Sequence, residues 1–180
     1  IYIKSMYYFL QAFNKRNPIY ADILNYVSLG VLLNIPDNNF RQLIDYVKQM
    51  DKQAKPSGWT PDLLLWFMLN SRMKEQEKLK YAETLAYPRL YNGLYKVIQA
   101  PNAAAAKDAL NKYLDRWYNL NSDAPWYNSH LKNNCYRGYW AWEVAAVAKI
   151  MHIDDSDLKN NQYYPYDMVH WADNETTAKE

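Results

Sequence analysis

Apolar residues recur every three or four positions along nearly the whole chain, and this spacing predicts helices rather than strands. Met6, Phe9, Leu10 and Phe13 share one face of a first helix over 2–13. Asn17-Pro18 is expected to stop it and to start the next, because proline disfavours the helical state in the residue before it and fits a first turn itself. Ile23, Tyr26, Val27 and Gly30 then mark a second helix over 19–34. A glycine inside a helix costs about 1 kcal/mol relative to alanine, so a close helix crossing is expected at Gly30. Pro36-Asp37-Asn38 reads as a turn in which Asp37 or Asn38 caps a third helix, with Phe40, Leu43, Ile44 and Val47 on its stripe.

Lys55 to Gly58 reads as a loop, and Thr60-Pro61 as a helix start with Thr60 as the cap, ahead of Leu64, Phe67 and Met68. A charged helix is predicted over 75–86, broken at Tyr87-Pro88, and an apolar one over 90–98. Four alanines open a helix over 103–119, whose inner face is Leu110, Tyr113, Leu114 and Trp117. Asp123 is placed to cap a short helix from Ala124-Pro125. The most apolar helix is predicted over 133–151, with Tyr136, Trp140, Val144, Val147 and Met151 as a core stripe. No segment alternates as a strand does. The expected fold is all-α, a compact multi-helix bundle of two related helical halves, with an N-terminal domain over 1–100 and a C-terminal one over 101–180.

The two halves echo each other. Residues 27–41, VSLGVLLNIPDNNFR, align without gaps on residues 145–159, AAVAKIMHIDDSDLK. Each is a helix end followed by Ile, a turn with Asp at the same place, a bulky apolar residue and a base.

A chain of 180 residues forms one domain or two small ones and buries roughly 70% of its unfolded surface. It begins with Ile1 rather than Met, as expected of a trimmed or processed product. Cys135 is the single cysteine, so no disulfide forms within the chain, which suits a cytoplasmic setting. No apolar run is long enough to span a bilayer, and no signal peptide is visible, so no membrane partner is expected. Charge is uneven. Residues 1–100 carry 13 Lys and Arg against 8 Asp and Glu, whereas from Trp140 onward 3 bases face 8 acids. The acidic end stands on a mildly basic body and reads most plainly as a solvated, acidic tail end, and the net charge of +2 is too small to imply nucleic acid.

Catalytic chemistry finds little support. Four scattered glycines exclude a phosphate-binding loop. His130, His152 and His170 lack metal-ligand spacing, so no metal or other cofactor is expected. Cys135 with His130 or His170 is more simply a structural thiol than a nucleophile. Glu143 with Asp154 or Asp155 matches in residue type the two carboxylates of a helical sugar hydrolase. The plainer reading buries Glu143 among aromatic residues with Tyr hydroxyls or Arg137 as partners. Asp154 to Asp157 lacks the closing acid of a calcium loop and reads as a helix cap.

The stretch from Tyr136 carries the strongest signal. Gly138-Tyr139-Trp140, Glu143 three residues on, an alanine-rich helix, Ile153-Asp154-Asp155 and Tyr164-Pro165-Tyr166-Asp167 follow in order. These motifs resemble the C-terminal domain of the PoNi family, immunity proteins that neutralise PoNe-type polymorphic DNase toxins. Trp117-Tyr118 and Trp126-Tyr127 are similar to an element upstream of that core, and 27–33 resembles the helical N-terminal domain more loosely. The resemblance implies a non-enzymatic protein that binds a cognate nuclease toxin. Asp154, Asp155, Asp157, Asp167 and Asp173 are the candidate acidic contacts, with Tyr163, Tyr166 and Trp171 as aromatic anchors. Gly138, Tyr139, Trp140, Glu143, Tyr164 and Pro165 are expected to be structural, with Gly138 at a close helix approach and Trp140 in the core. A carbohydrate-active enzyme and a helical peptide-binding scaffold are the alternatives.

Overall fold

The computed structural model describes residues 1–13, 19–53, 59–132, 136 and 138–171, with side chains at 12 and 13 left aside. The expected stop at Asn17-Pro18, the loop Lys55 to Gly58, the Phe13 side chain, Cys135, Arg137 and Asp173 lie outside the described residues. Within them the chain is all-α, with eight α-helices, three short 3-10 turns and no strand. It divides into two compact units, Ile1–Ala86 with Trp171–Glu180, and Tyr87–His170. No described helix is long and apolar enough to cross a membrane.

The first unit holds α1 (Tyr2–Phe13), α2 (Tyr20–Leu32), α3 (Asp37–Lys52) and α4 (Leu63–Asn70). The stripes close as their periodicity demands: Met6, Ile23, Val27, Phe40, Leu43, Ile44 and Val47 are all buried. Gly30 explains its place, because a Cβ there would lie 3.2 Å from both the Phe40 ring and the Tyr2 hydroxyl. The cap of α3 differs from expectation. Asp37 is the first helical residue, caps nothing, and pairs with Arg72 at 2.5 Å.

The start of α4 also moves. Asp62, not Thr60, is its N-cap and accepts from the Leu65 amide at 2.8 Å. The same carboxylate accepts from the Tyr20 hydroxyl and the Ala86 amide, each at 2.7 Å. The charged helix predicted over 75–86 is reduced to a 3-10 turn at Glu75–Glu77. Its backbone finds tertiary partners instead. Asn70 grips Leu79 through both amide atoms, at 2.7 and 2.9 Å, and the Leu63 amide donates to Thr84 at 2.9 Å. These bonds satisfy the strap without the i to i−4 ladder of a helix.

The second unit opens with α5 (Pro88–Ile98) and α6 (Ala103–Leu120), an antiparallel pair. Pro88 begins α5, and Asn102 caps α6 by accepting from the Ala105 amide at 2.9 Å. The two helices lie so close that a Cβ on Gly93 would stand 2.6 Å from the Tyr113 ring. The expected helix at Ala124 is a set of turns leading to a 3-10 segment, Ser129–Leu131, and Asp123 pairs with Arg89 at 2.6 Å rather than capping. Then follow α7 (Trp142–Ile150), a 3-10 turn at Ser156–Leu158, and α8 (Tyr166–Val169).

The helix predicted over 133–151 starts only at Trp142. Gly138 has φ +82°, and the Ala141 amide donates to the Tyr163 carbonyl at 2.9 Å, so the approach to α7 is tied to a distant loop. Gly138 therefore serves a left-handed backbone position, where a Cβ would meet the Trp140 indole at 2.5 Å, and not a helix crossing. Trp140 and Tyr136 are exposed, while Val144 and Val147 are fully buried.

The sequence echo has a structural counterpart. Asn34 and His152 both turn left-handed, with φ 46° and 51°. The Ile35 amide bonds the Gly30 carbonyl at 3.2 Å and the Ile153 amide bonds the Ala148 carbonyl at 3.0 Å. Both helices thus end in a Schellman motif whose next residue, an isoleucine, is buried.

Removing the Asp62 carboxylate deletes a cap and orphans a buried hydroxyl and an amide. Asp62→Ala is expected to lower unfolding stability by about 2–4 kcal/mol, and Asp62→Asn, which keeps one acceptor, by less. Urea unfolding midpoints at an unchanged slope measure both; equal stability of the Ala variant would refute this role for Asp62.

Candidate functional site

The turn after α7 is built around a carboxylate that faces inward. Asp155 is 4% exposed. Its Oδ2 accepts from the Tyr164 hydroxyl at 2.7 Å, and its Oδ1 lies 2.9 Å from His170 Nε2. Burial and the Asp155 carboxylate together push the Tyr164 phenol well above its ordinary value. Pro165 is buried beside it. The matched Ile-Asp-Asp and Tyr-Pro segments therefore lock onto each other. This differs from the expectation for Asp155, which is an internal tie rather than an exposed contact.

The lock turns its neighbours outward. Asp154 and Asp157 are exposed. Lys107 of α6 reaches both, at 2.8 and 3.1 Å, and Asn111, one helical turn on, donates to Asp157 at 3.1 Å. The bond from Lys107 holds Asp154 well below the usual carboxylate range and lowers Asp157 as well. Asp154 also accepts from the Ser156 amide at 3.1 Å. Asp167 is exposed in the first turn of α8, where a negative charge suits the helix dipole. The predicted contacts thus separate into exposed Asp154, Asp157 and Asp167 and a buried Asp155.

Their aromatic companions divide too. Tyr166 is half-buried with its ring 4.4 Å from that of His170. Tyr163 is half-buried and stacks flat on Tyr118, rings 5.2 Å apart. Trp171 is exposed and belongs to the first unit.

Beneath lies Glu143, in the first turn of α7 and 6% exposed. Its partner is the Trp117 indole, which donates to Oε1 at 2.6 Å. Burial raises its pKa to about 7, against which its own backbone amide and Trp117 act. Such a value suits a general acid, but a sugar hydrolase needs that acid in an open cleft beside a second free carboxylate. Glu143 is enclosed, and of its two candidate partners Asp155 is committed internally and Asp154 is bound to Lys107, so the carbohydrate-enzyme reading loses its acid. Among the described residues no group of three or more His, Cys, Asp or Glu is placed to hold a metal ion.

An aromatic surface that periodicity did not reveal runs beside this core. Trp126 stacks on Trp117 at 5.5 Å and also meets Tyr139, which contacts Tyr118 and Tyr136. His130, considered as a ligand or base, instead faces the Tyr139 hydroxyl through Nδ1 at 2.7 Å. Trp126, Leu131, Tyr136 and Trp140 remain exposed at its rim. Its sequence signals are the 18 Tyr and 7 Trp against 4 Gly and the Trp117-Tyr118 and Trp126-Tyr127 pairs, which fall within it.

The C-terminal unit thus combines exposed acids, an aromatic-rich surface and an enclosed carboxylate core. A model for the family described as PoNe immunity proteins (PoNi), C-terminal, matches residues 60–168, more than half of the chain. The chain belongs to that family, and membership makes it an immunity protein of the kind that counters a polymorphic nuclease toxin. No curated protein and no solved structure matches it.

A folded-state pKa near 7 against an ordinary 4.5 means that the folded chain keeps a proton on Glu143 that the unfolded chain has lost. The stability from this group is full below pH 4.5 and disappears as the pH rises to about 7. The loss is on the order of 3 kcal/mol, and Glu143→Gln is expected to abolish it while keeping an acceptor for Trp117. Melting curves at pH 5 and pH 8 decide; an equal drop in both proteins would place the titration elsewhere. At constant pH, Asp155→Ala should cost about 2–3 kcal/mol, and Asp154→Ala should leave stability essentially unchanged because its pair with Lys107 stands in solvent. Chemical unfolding of the two variants tests that contrast, and comparable losses would contradict it.

Proposed function

We propose that the protein binds and neutralises a cognate bacterial DNase toxin as a one-to-one inhibitor in the cytoplasm, using the exposed acids Asp154, Asp157 and Asp167 with Tyr163 and Tyr166. Family membership carries the first part. The observation that carries the second is the Asp155 lock, which fixes the turn so that Asp154 and Asp157 point to solvent. A nuclease needs a cationic surface to hold phosphates. An acidic surface complements that charge, speeds encounter, and competes with DNA for the same groups. Lys107 offsets one of the three charges, and it leaves a net of −2 for the partner. Holding two acids in a preset geometry also spares the complex part of the ordering cost.

The test needs the cognate toxin, which this reading expects to be encoded beside the gene. Co-expression should rescue growth, and the purified pair should form a complex whose association slows as salt rises. Asp154→Lys with Asp157→Lys is expected to weaken binding roughly 100-fold and to abolish rescue, with the fold intact by circular dichroism. Full protection by that folded variant would rule out the acidic turn as the contact. If instead Trp126→Ser and Trp140→Ser lose rescue, the contact lies on the aromatic surface.

A further inference from the structure

A second surface of the C-terminal unit has the opposite charge. The antiparallel helices α5 and α6 enclose a groove of about 840 Å³. Arg89, Lys96, Lys112 and Arg116 stand on its walls against Asp108 and Asp115. Arg89 is paired with Asp123 at 2.6 Å and Lys112 with Asp108 at 2.7 Å. Lys96 and Arg116 have no ion-pair partner among the described residues, and both are exposed. The floor is apolar, from Leu90, Ala109 and Leu120. At Gly93 the Tyr113 ring fills the space a side chain would take, and the Tyr113 hydroxyl is spent on the Leu90 carbonyl at 3.0 Å.

We propose that this groove is a docking site for an acidic, amphipathic segment of a protein partner, with carboxylates on Lys96 and Arg116 and apolar side chains on the floor. With Arg89 held by Asp123 and Lys112 by Asp108, the walls keep two unpaired cations, from different helices, against the single carboxylate of Asp115. An anionic partner with spaced charges satisfies both while avoiding Asp108 and Asp115. A nucleic-acid strand fits less well, since its closely and evenly spaced phosphates would meet those two carboxylates and leave an apolar floor uncovered. The groove has the volume of a small-ligand site but is bounded by helices of three turns or more, a length suited to a peptide. The acidic turn holds Lys107 and Asn111 on α6, whereas the groove uses Asp108, Lys112 and Arg116, so one helix serves two surfaces of opposite sign. The inference is independent of the toxin reading.

The experiment uses the whole chain and a fluorescein-labelled peptide of about twelve residues, with Glu and Leu at helical spacing. Its counterpart with Lys for Glu and a single-stranded oligonucleotide of similar length are the comparison probes. Fluorescence anisotropy should show saturable binding of the acidic peptide only. Lys96→Glu with Arg116→Glu should weaken it at least about tenfold, whereas Asp154→Asn with Asp157→Asn should leave it unchanged. If the double variant does not fold, Lys96→Gln and Arg116→Gln singly must each weaken binding about threefold. The proposal is overturned by absence of saturable binding, by indifference to these variants, or by tighter oligonucleotide binding that the same variants remove. Sedimentation showing a dimer dissolved by Arg116→Glu would assign the groove to a second copy and would also overturn it. Loss of toxin rescue in the Asp154 and Asp157 variants bears on the other surface alone.

Discussion

A hydrogen bond from an aromatic side chain to a carboxylate recurs wherever this protein draws an acid away from water. Asp62 meets Tyr20, Glu143 meets Trp117, and Asp155 meets Tyr164. At the edge of the core, Asp51 accepts from Trp59, Trp66 and Tyr81. A buried charge without partners is costly, and an aromatic donor supplies a partner together with a large apolar body. Each such bond also joins segments far apart in sequence. Asp62 links the start of α2, the start of α4 and the end of the strap, while Asp155 links the turn after α7 to the entrance of α8. Helices this short are weak alone, so their positions depend on these ties and on packing.

The same device separates structure from recognition in the C-terminal unit. Consecutive acids Asp154 and Asp155 have opposite fates because the chain turns between them after a left-handed His152. One is consumed by the interior and the other is presented. The Schellman ending that sets this turn is shared with α2, but there the equivalent acid, Asp37, stays outside on Arg72. The two halves therefore share a local solution to ending a helix, and only the second adds a buried carboxylate to it.

Much of the fold was legible in the residues. The stripes of α3 and α6 are buried throughout, and those of α1 and α2 are buried at Met6, Phe9, Ile23, Val27 and Gly30 with Leu10 and Tyr26 at their edges, because each is an amphipathic pattern and burying one face is a local demand. Gly30 was read correctly because an unfavourable residue inside a helix requires a tertiary reason. What failed were the segments whose backbone is satisfied from afar. The strap after Glu77 looks helical in composition, yet Asn70, Asp62 and Leu63 take its amides and carbonyls. The apolar spacing of Tyr136 and Trp140 continues that of α7, yet the tie from Ala141 to Tyr163 and the left-handed Gly138 keep the residues just before Trp142 out of the helix. Capping by Asp37 and Asp123 failed for a related reason: each side chain found an arginine.

The helical class, most helix faces, the family motif and the acidic character of the C-terminal region follow from residue type and spacing, which act over a few turns. Which members of the motif face inward follows from contacts between distant segments. Burial of Asp155 depends on Tyr164 and His170, that of Glu143 on Trp117, and the charge left on Asp154 and Asp157 on Lys107. A carboxylate carries no local mark of its fate, because the same group is stable in water or beside a donor, and the donor arrives from another part of the chain.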